Sequence, residues 1–129
     1  TADDQIVLVR QYRHGVDAVT LEIPSGTVEA GEEPLAAAQR ELAEETGYTG
    51  GRWTLLGRER PNAAFQNNVC YNFLAEGVHL AVQPNLDPGE DIAVELHPLA
   101  GVRDLITTGG MDQAMVLSAF FWWFNRKST

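Results

Sequence analysis

At 129 residues the chain is long enough for one domain with a single modest core, and its 44% hydrophobic and 21% charged content is that of an ordinary globular protein. The net charge of −9 repels nucleic-acid phosphates and anionic membranes, and the nine basic residues form no run that would override it, so neither partner is expected. No apolar run approaches the length of a membrane span, Thr1-Ala2-Asp3-Asp4 is unlike a signal peptide, and Cys70 is the only cysteine. An internal disulfide is therefore impossible, and a reducing cytoplasm is the expected location.

Ile6 to Val9 is an apolar, largely β-branched run that continues into Arg10-Gln11-Tyr12-Arg13, which predicts a strand. His14 to Asp17 reads as a turn. Val19 to Ile23 alternates apolar and polar residues and suits a second strand, broken by Pro24-Ser25-Gly26. After the loop Glu29-Ala30-Gly31-Glu32, a helix should begin at Pro34, because proline is well tolerated at the first helical position. It should run to Glu45, with Gly47 placed to end it in the left-handed conformation. Trp53 to Arg58 and Val69 to Glu76 read as strands around a Pro61-Asn62-Ala63 loop, and Val78 to Val82 as an extension of that sheet. Pro84 to Asp91 is rich in turn formers. Ile92 to Leu96 is an alternating strand, Val102 to Thr107 a short helix, and Asp112 to Phe124 the last helix.

Mixed strands with two or three helices predict an α+β fold, with a three-layer α/β/α sandwich as its form, in one domain over residues 1–129. The chain opens almost directly on a strand with no earlier partner strand. Either a chain boundary lies there, or another chain covers that edge.

The helix after Pro34 carries unusual charge. Glu29, Glu32, Glu33, Glu41, Glu44 and Glu45 crowd against Arg40 alone. At roughly 100° per residue, Glu41, Glu44 and Glu45 fall within an arc of about 100°. Leu35, Ala38 and Leu42 occupy another face, suited to packing on a sheet. Like charges three or four residues apart repel by roughly 0.2–0.5 kcal/mol per pair. They also sit near the helix C-terminus, where the macrodipole disfavours anions. Mg²⁺, or Mn²⁺ in its place, would relieve both penalties, being a hard ion that prefers oxygen ligands. An isolated E-x-x-E-E is usually a solvated face. Here the spacing is locked to further positions, written G-x5-E-x7-R-E-L-x-E-E-x-G-Y from Gly26 to Tyr48. Gly26 lets the backbone approach a metal or phosphate, Arg40 can pair with Glu32 across the loop and orient Glu44, and Gly47 stops the helix.

That pattern resembles the signature box of the Nudix hydrolases at every fixed position, with Tyr48 as the bulky last residue. Val9-Arg10-Gln11-Tyr12-Arg13, Leu21-Glu22-Ile23-Pro24-Ser25-Gly26, Phe73 to Gly77 and Leu86 to Ile92 look like the ADP-ribose pyrophosphatase branch of that family. The chain departs from the branch after Pro61. A glycine and a glutamate are usual there, and Asn62-Ala63-Ala64-Phe65-Gln66-Asn67-Asn68 stands instead.

The resemblance implies a mixed sheet between helices, with the box as loop-helix-loop, and cleavage of a nucleoside diphosphate linked to another group. By that similarity Glu41 and Glu45 would be the main metal ligands, assisted by Glu44, with the carbonyl of Ser25 or Gly26 completing the shell. Glu44, Glu45 and Glu90 would be the catalytic acids, Glu90 activating water or binding metal. Glu32 would be structural, through Arg40. Two further classes stay open: a non-catalytic Nudix-like module that binds a metabolite, and a housecleaning enzyme for damaged nucleoside triphosphates.

Arg10 and Arg13 are candidates for phosphate contacts, because a guanidinium grips phosphate oxygens in a two-point fork. The bland alternative for each is a solvated strand end. Tyr12 is a candidate to stack on a base, or to pack in the core. Glu22, at the mouth of the glycine loop, is a candidate for substrate or metal contact. Cys70 lies in a strand pattern and reads as core. Phe120-Phe121-Trp122-Trp123-Phe124 puts aromatics on every side of the last helix. Ala119, Phe120 and Trp123 suit packing on the sheet, and the remainder suits a homodimer interface.

Overall fold

The computed structural model describes residues 1–127. Strand β1 (Gln5–Arg13) leads through a turn to β2 (Ala18–Glu22). A loop then feeds helix α1 (Pro34–Thr46), followed by β3 (Tyr48–Thr49), β4 (Arg52–Glu59), β5 (Cys70–Glu76), β6 (His79–Leu80) and β7 (Ile92–Pro98). A 3₁₀ turn (Leu99–Gly101), α2 (Val102–Thr107) and α3 (Ala114–Phe124) close the fold.

The central sheet has the order β2-β1-β7, with both pairings antiparallel. Val7, Leu8 and Val9 are all buried in succession, which happens only when both faces of a strand are covered. Leu8 packs with Leu21 of β2 and with Val102, Met111, Val116 and Phe120 from α2, α3 and the segment between them. Val7 points the other way and packs with Leu42 of α1 and Val78. The layers are therefore helices, sheet, helix, an α+β arrangement.

This topology corrects the expectation of an open edge at the start of the chain. β1 is the middle strand, and its two partners come later in sequence, one a hairpin neighbour and the other from the far end. A second correction concerns residues 78–82. The short β6 does not extend the β4-β5 hairpin but pairs with β3, just after α1.

α1 forms where proline and glycine punctuate the chain. Pro34 occupies its first turn, and Gly47, at φ 77°, caps its end with an N–H that donates to the Ala43 carbonyl at 2.9 Å. The buried residues of α1 are Ala37, Leu42, Glu45 and Thr46, so Leu35, expected to pack on the sheet, is 40% exposed instead. The contact face is rotated toward the acidic stripe, which carries Glu45 into the interior. On α3, Val116, Ala119 and Phe120 are buried and Trp123 packs against their cluster, while Phe121 is exposed. Trp122 lies over Gly57 of β4: a Cβ there would stand 2.4 Å from the indole ring.

Candidate active site

Arg40 organises the N-terminal half of the site. Its Nε and Nη2 donate to Glu32 Oε1 and Oε2 at 2.9 and 3.0 Å, and Nη2 also donates to the Thr27 carbonyl at 3.0 Å. Nη1 donates to Glu41 Oε1 and Glu44 Oε2, both at 3.0 Å. One guanidinium thus ties the loop before α1 to two of the helix acids. The Arg40 hydrogen bonds, then the Glu29 N–H, hold the Glu32 carboxyl down at about 2.

Glu45 faces inward from the same helix and is 4% exposed. Its Oε2 accepts the Ser25 N–H at 3.0 Å. Burial pushes its carboxyl up to about 7, the charges of Glu41 and Glu90 push the same way, and the Ser25 bond and Arg13 oppose them. Burial likewise raises Glu41, against the pull of Arg40. The loop backbone lies hard against that acid. A Cβ on Gly26 would stand 1.9 Å from the Glu41 carboxyl carbon.

Glu90 arrives from the late loop, which is pinned by the Asp87 N–H donating to the Glu90 carboxylate at 2.9 Å and the Glu90 N–H donating back to the Asp87 carbonyl at 3.0 Å. The Asn85 N–H donates to the Glu44 carbonyl at 2.8 Å and ties the loop to α1. The Glu90 charge is felt at Glu41, Glu45 and Arg13, so acids far apart in sequence share one region.

Arg13 joins this group and Arg10 does not. Residues at odd and even positions of β1 face opposite sides of the sheet. Arg13 shares the face of Val7, toward α1, and donates to Glu22 through Nε (2.9 Å) and Nη2 (2.6 Å). Arg10 shares the face of Leu8 and is held by Glu95 through Nε (2.5 Å) and Nη2 (3.1 Å), with His97 on the same carboxylate at 2.9 Å. Arg10 thus stands in a surface ion pair on the sheet face opposite Arg13. Tyr12, on that same far face, is 44% exposed, with its hydroxyl on Asp17 and its ring edge-on to His14. It neither packs in the core nor reaches the acids.

Glu22 also differs from expectation. It does not sit at the mouth of the loop but is 0% exposed, and its Oε1 accepts the Thr20 hydroxyl at 2.6 Å and Gln113 Nε2 at 3.3 Å as well as Arg13. Burial alone would raise its carboxyl, but the hydrogen bonds of Arg13 and Thr20 outweigh it and leave it lowered.

Sequence reasoning missed Thr20, Gln113 and Asn85, whose roles depend on contacts between distant segments. It also missed Gln11, 9% exposed, whose Nε2 has no hydrogen-bond partner among the described residues. The one available signal was an amide placed on the same strand face as Val7 and Val9. Burial and then Glu59 push the Cys70 thiol up to about 11, which disfavours the thiolate at neutral pH.

Among the described residues no three acidic, His or Cys side chains already converge as a cage for a metal ion. The donor set nevertheless fits a hard divalent cation. Arg40 takes one oxygen each of Glu41 and Glu44, and Ser25 takes one of Glu45, so none of the three carboxylates is used up. The raised Glu45 and Glu41 mark anions that a cation would stabilise, and the Gly26 backbone is close enough to share it.

A NUDIX domain model matches residues 1–120. Among curated relatives, an ADP-ribose pyrophosphatase of Bacillus subtilis (strain 168) is 37% identical over 95 residues, 73% of this chain and 51% of that protein. The ADP compounds hydrolase NudE of Escherichia coli (strain K12) is 27% identical over 119 residues, 92% of this chain and 63% of that protein. A crystal structure of an ADP compounds hydrolase superposes with a TM-score of 0.85 at 26% identity, covering 95% of this chain and 65% of that one. The chain spans about half the length of the Bacillus relative and under two thirds of the other two.

Proposed function

The chain belongs to the Nudix family, and from that premise we propose that it hydrolyses the pyrophosphate bond of a nucleoside diphosphate joined to another group, ADP-ribose or a related nucleotide sugar being the substrate class. The observation that carries the reading is the glycine loop set against the helix acids, with the Ser25 N–H on Glu45 at 3.0 Å and the Gly26 backbone hard against the Glu41 carboxylate. Glu41, Glu44 and Glu45, with the carbonyl of Ser25 or Gly26, would hold Mg²⁺, and Mn²⁺ would substitute. The bound cation supplies charge neutralisation for the diphosphate and acidifies water.

The chain's own groups do the rest. Glu90, on a loop pinned at Asp87, takes the proton of the attacking water as general base. Water attacks phosphorus directly, so no side-chain nucleophile is needed. Arg13 addresses the diphosphate oxygens and offsets their charge. Glu32 does not touch substrate; it holds Arg40, which aims Glu41 and Glu44. All the box glutamates are present, which favours an enzyme over a binding module.

A homodimer built on the exposed aromatics of α3, a cytoplasmic location and no nucleic-acid partner complete the proposal. No helix among the described residues is long and apolar enough to cross a membrane. The test is Glu45→Gln, assayed on ADP-ribose with Mg²⁺ by phosphate released after phosphatase treatment. Turnover should fall by about 10³-fold while the thermal midpoint holds or rises, because a buried, high-pKa anion has been removed. Unchanged turnover refutes the ligand role.

A further inference from the structure

We propose that Glu22 is a positioning residue: it clamps Arg13 so that the outer guanidinium nitrogen is held free for the diphosphate of the substrate. This rests on the hydrolase reading above and deepens it at the same site.

The geometry is that of a built clamp. Glu22 takes Nε and Nη2 of Arg13 on its two oxygens, at 2.9 and 2.6 Å. Nη1 of Arg13 has no hydrogen-bond partner among the described residues, so two of its N–H groups remain to address a ligand. Arg13 leaves β1 on the face of Val7, the side on which α1 and its acids pack, and the Glu45 and Glu90 charges act on it in the same sense. The carboxylate of Glu22 is itself fixed by the Thr20 hydroxyl and by Gln113, the residue that opens α3. Its side chain is only 1% exposed against 41% for Arg13. Glu22 therefore cannot reach a substrate, whereas Arg13 can. An arginine at the last residue of a strand, without such a clamp, samples many rotamers and loses that freedom on gripping phosphate. With the clamp, one orientation exists before substrate arrives, and binding improves through preorganisation.

The competing account is that Glu22 only staples β1, β2 and α3 together. A staple would lower stability and the active fraction, and its loss would be felt whether or not Arg13 is present. The test is a double-mutant cycle on Glu22→Gln and Arg13→Ala, with Glu22→Asp as a second variant that keeps the charge but is too short for both contacts. KM and kcat are measured with Mg²⁺ and ADP-ribose, and folding by thermal melting. Glu22→Gln should raise KM by roughly 10- to 100-fold with kcat within about threefold of wild type, and Glu22→Asp should move the same way. In the Arg13→Ala background, Glu22→Gln should change KM by less than about twofold. Wild-type KM in either Glu22 variant, or an undiminished effect of Glu22→Gln without Arg13, overturns the proposal. If Glu22→Gln does not fold, Glu22→Asp decides. A wild-type protein that cleaves no nucleoside diphosphate sugar defeats the hydrolase reading and this inference with it; an active wild type with additive variants defeats this inference alone.

Discussion

Gly26→Ala separates catalytic geometry from folding. The added Cβ would lie 1.9 Å from the Glu41 carboxyl carbon and 2.0 and 2.4 Å from its two oxygens, where ordinary contact begins at 3.4 Å. The carboxylate must retreat by about 1.5 Å, and in doing so it abandons the 3.0 Å bond from Arg40. What moves is the end of a flexible side chain, not backbone or core. The thermal midpoint should therefore shift by less than about 5 °C. Turnover is another matter, since a misplacement of about 1 Å in a site that works by positioning costs on the order of 10²-fold. We expect kcat on ADP-ribose with Mg²⁺ to fall by that factor, with the melting curve nearly superimposed on wild type. A fully active Gly26→Ala protein would show that Glu41 has no fixed station in the reaction, and the ligand set would have to be redrawn.

Gly57→Ala should do the reverse. Its Cβ would stand 2.4–2.8 Å from the Trp122 indole, whose Nε1 is held by Glu59 at 3.0 Å and cannot give way. We expect about 1–3 kcal/mol lost in urea unfolding, with kcat of the folded fraction unchanged; an unaltered midpoint would show that α3 shifts freely on β4. Glu95 predicts an acid limb in the stability curve. Arg10, then His97, hold its carboxyl at about 2 against an ordinary 4.5, so its stabilisation is complete above about 4.5 and disappears as pH falls toward 2. Urea midpoints of wild type and Glu95→Gln should therefore differ at pH 7 and converge near pH 2; a constant gap would remove the pair from the account.

The parts legible in the sequence were those governed by local rules. Pro34 and Gly47 bracket α1 because each has a conformational reason to stand where it does, and the Glu32–Arg40 pair is reached across a loop of few residues. The split between Arg10 and Arg13 was readable too, since their positions differ by an odd number on one strand. It is lost when both arginines are assigned by guanidinium chemistry alone, without strand parity. Glu22 was misplaced for a different reason. Its partner Gln113 lies 91 residues away, and nothing in the local pattern announces that the chain returns there. The same holds for β1, whose central place depends on β7 arriving from the far end.

The two arginines of the site share one design. Each spends its fork on an acid that is not a proposed metal ligand, Arg40 on Glu32 and Arg13 on Glu22. Each keeps a nitrogen outside that fork: Arg40 Nη1 meets Glu41 and Glu44, and Arg13 Nη1 stays unpaired among the described residues. In a chain of net charge −9, free guanidinium groups near a dense acidic cluster would collapse onto the ligand carboxylates and compete with a divalent ion. Giving each arginine its own structural carboxylate limits that collapse. Arg40 is left with one nitrogen for two acids, and Arg13 with one nitrogen for a substrate. The Glu22 clamp thus serves cation binding as well as phosphate binding, and Mn²⁺ affinity offers an independent check. In substrate-free Glu22→Gln the released Arg13, no longer held and not yet engaged by a diphosphate, should swing onto Glu45 or Glu90 and weaken Mn²⁺ binding severalfold, and Arg13→Ala in the same background should restore it. Affinity that stays at the wild-type value in both would mean that Arg13 never competes with the ion.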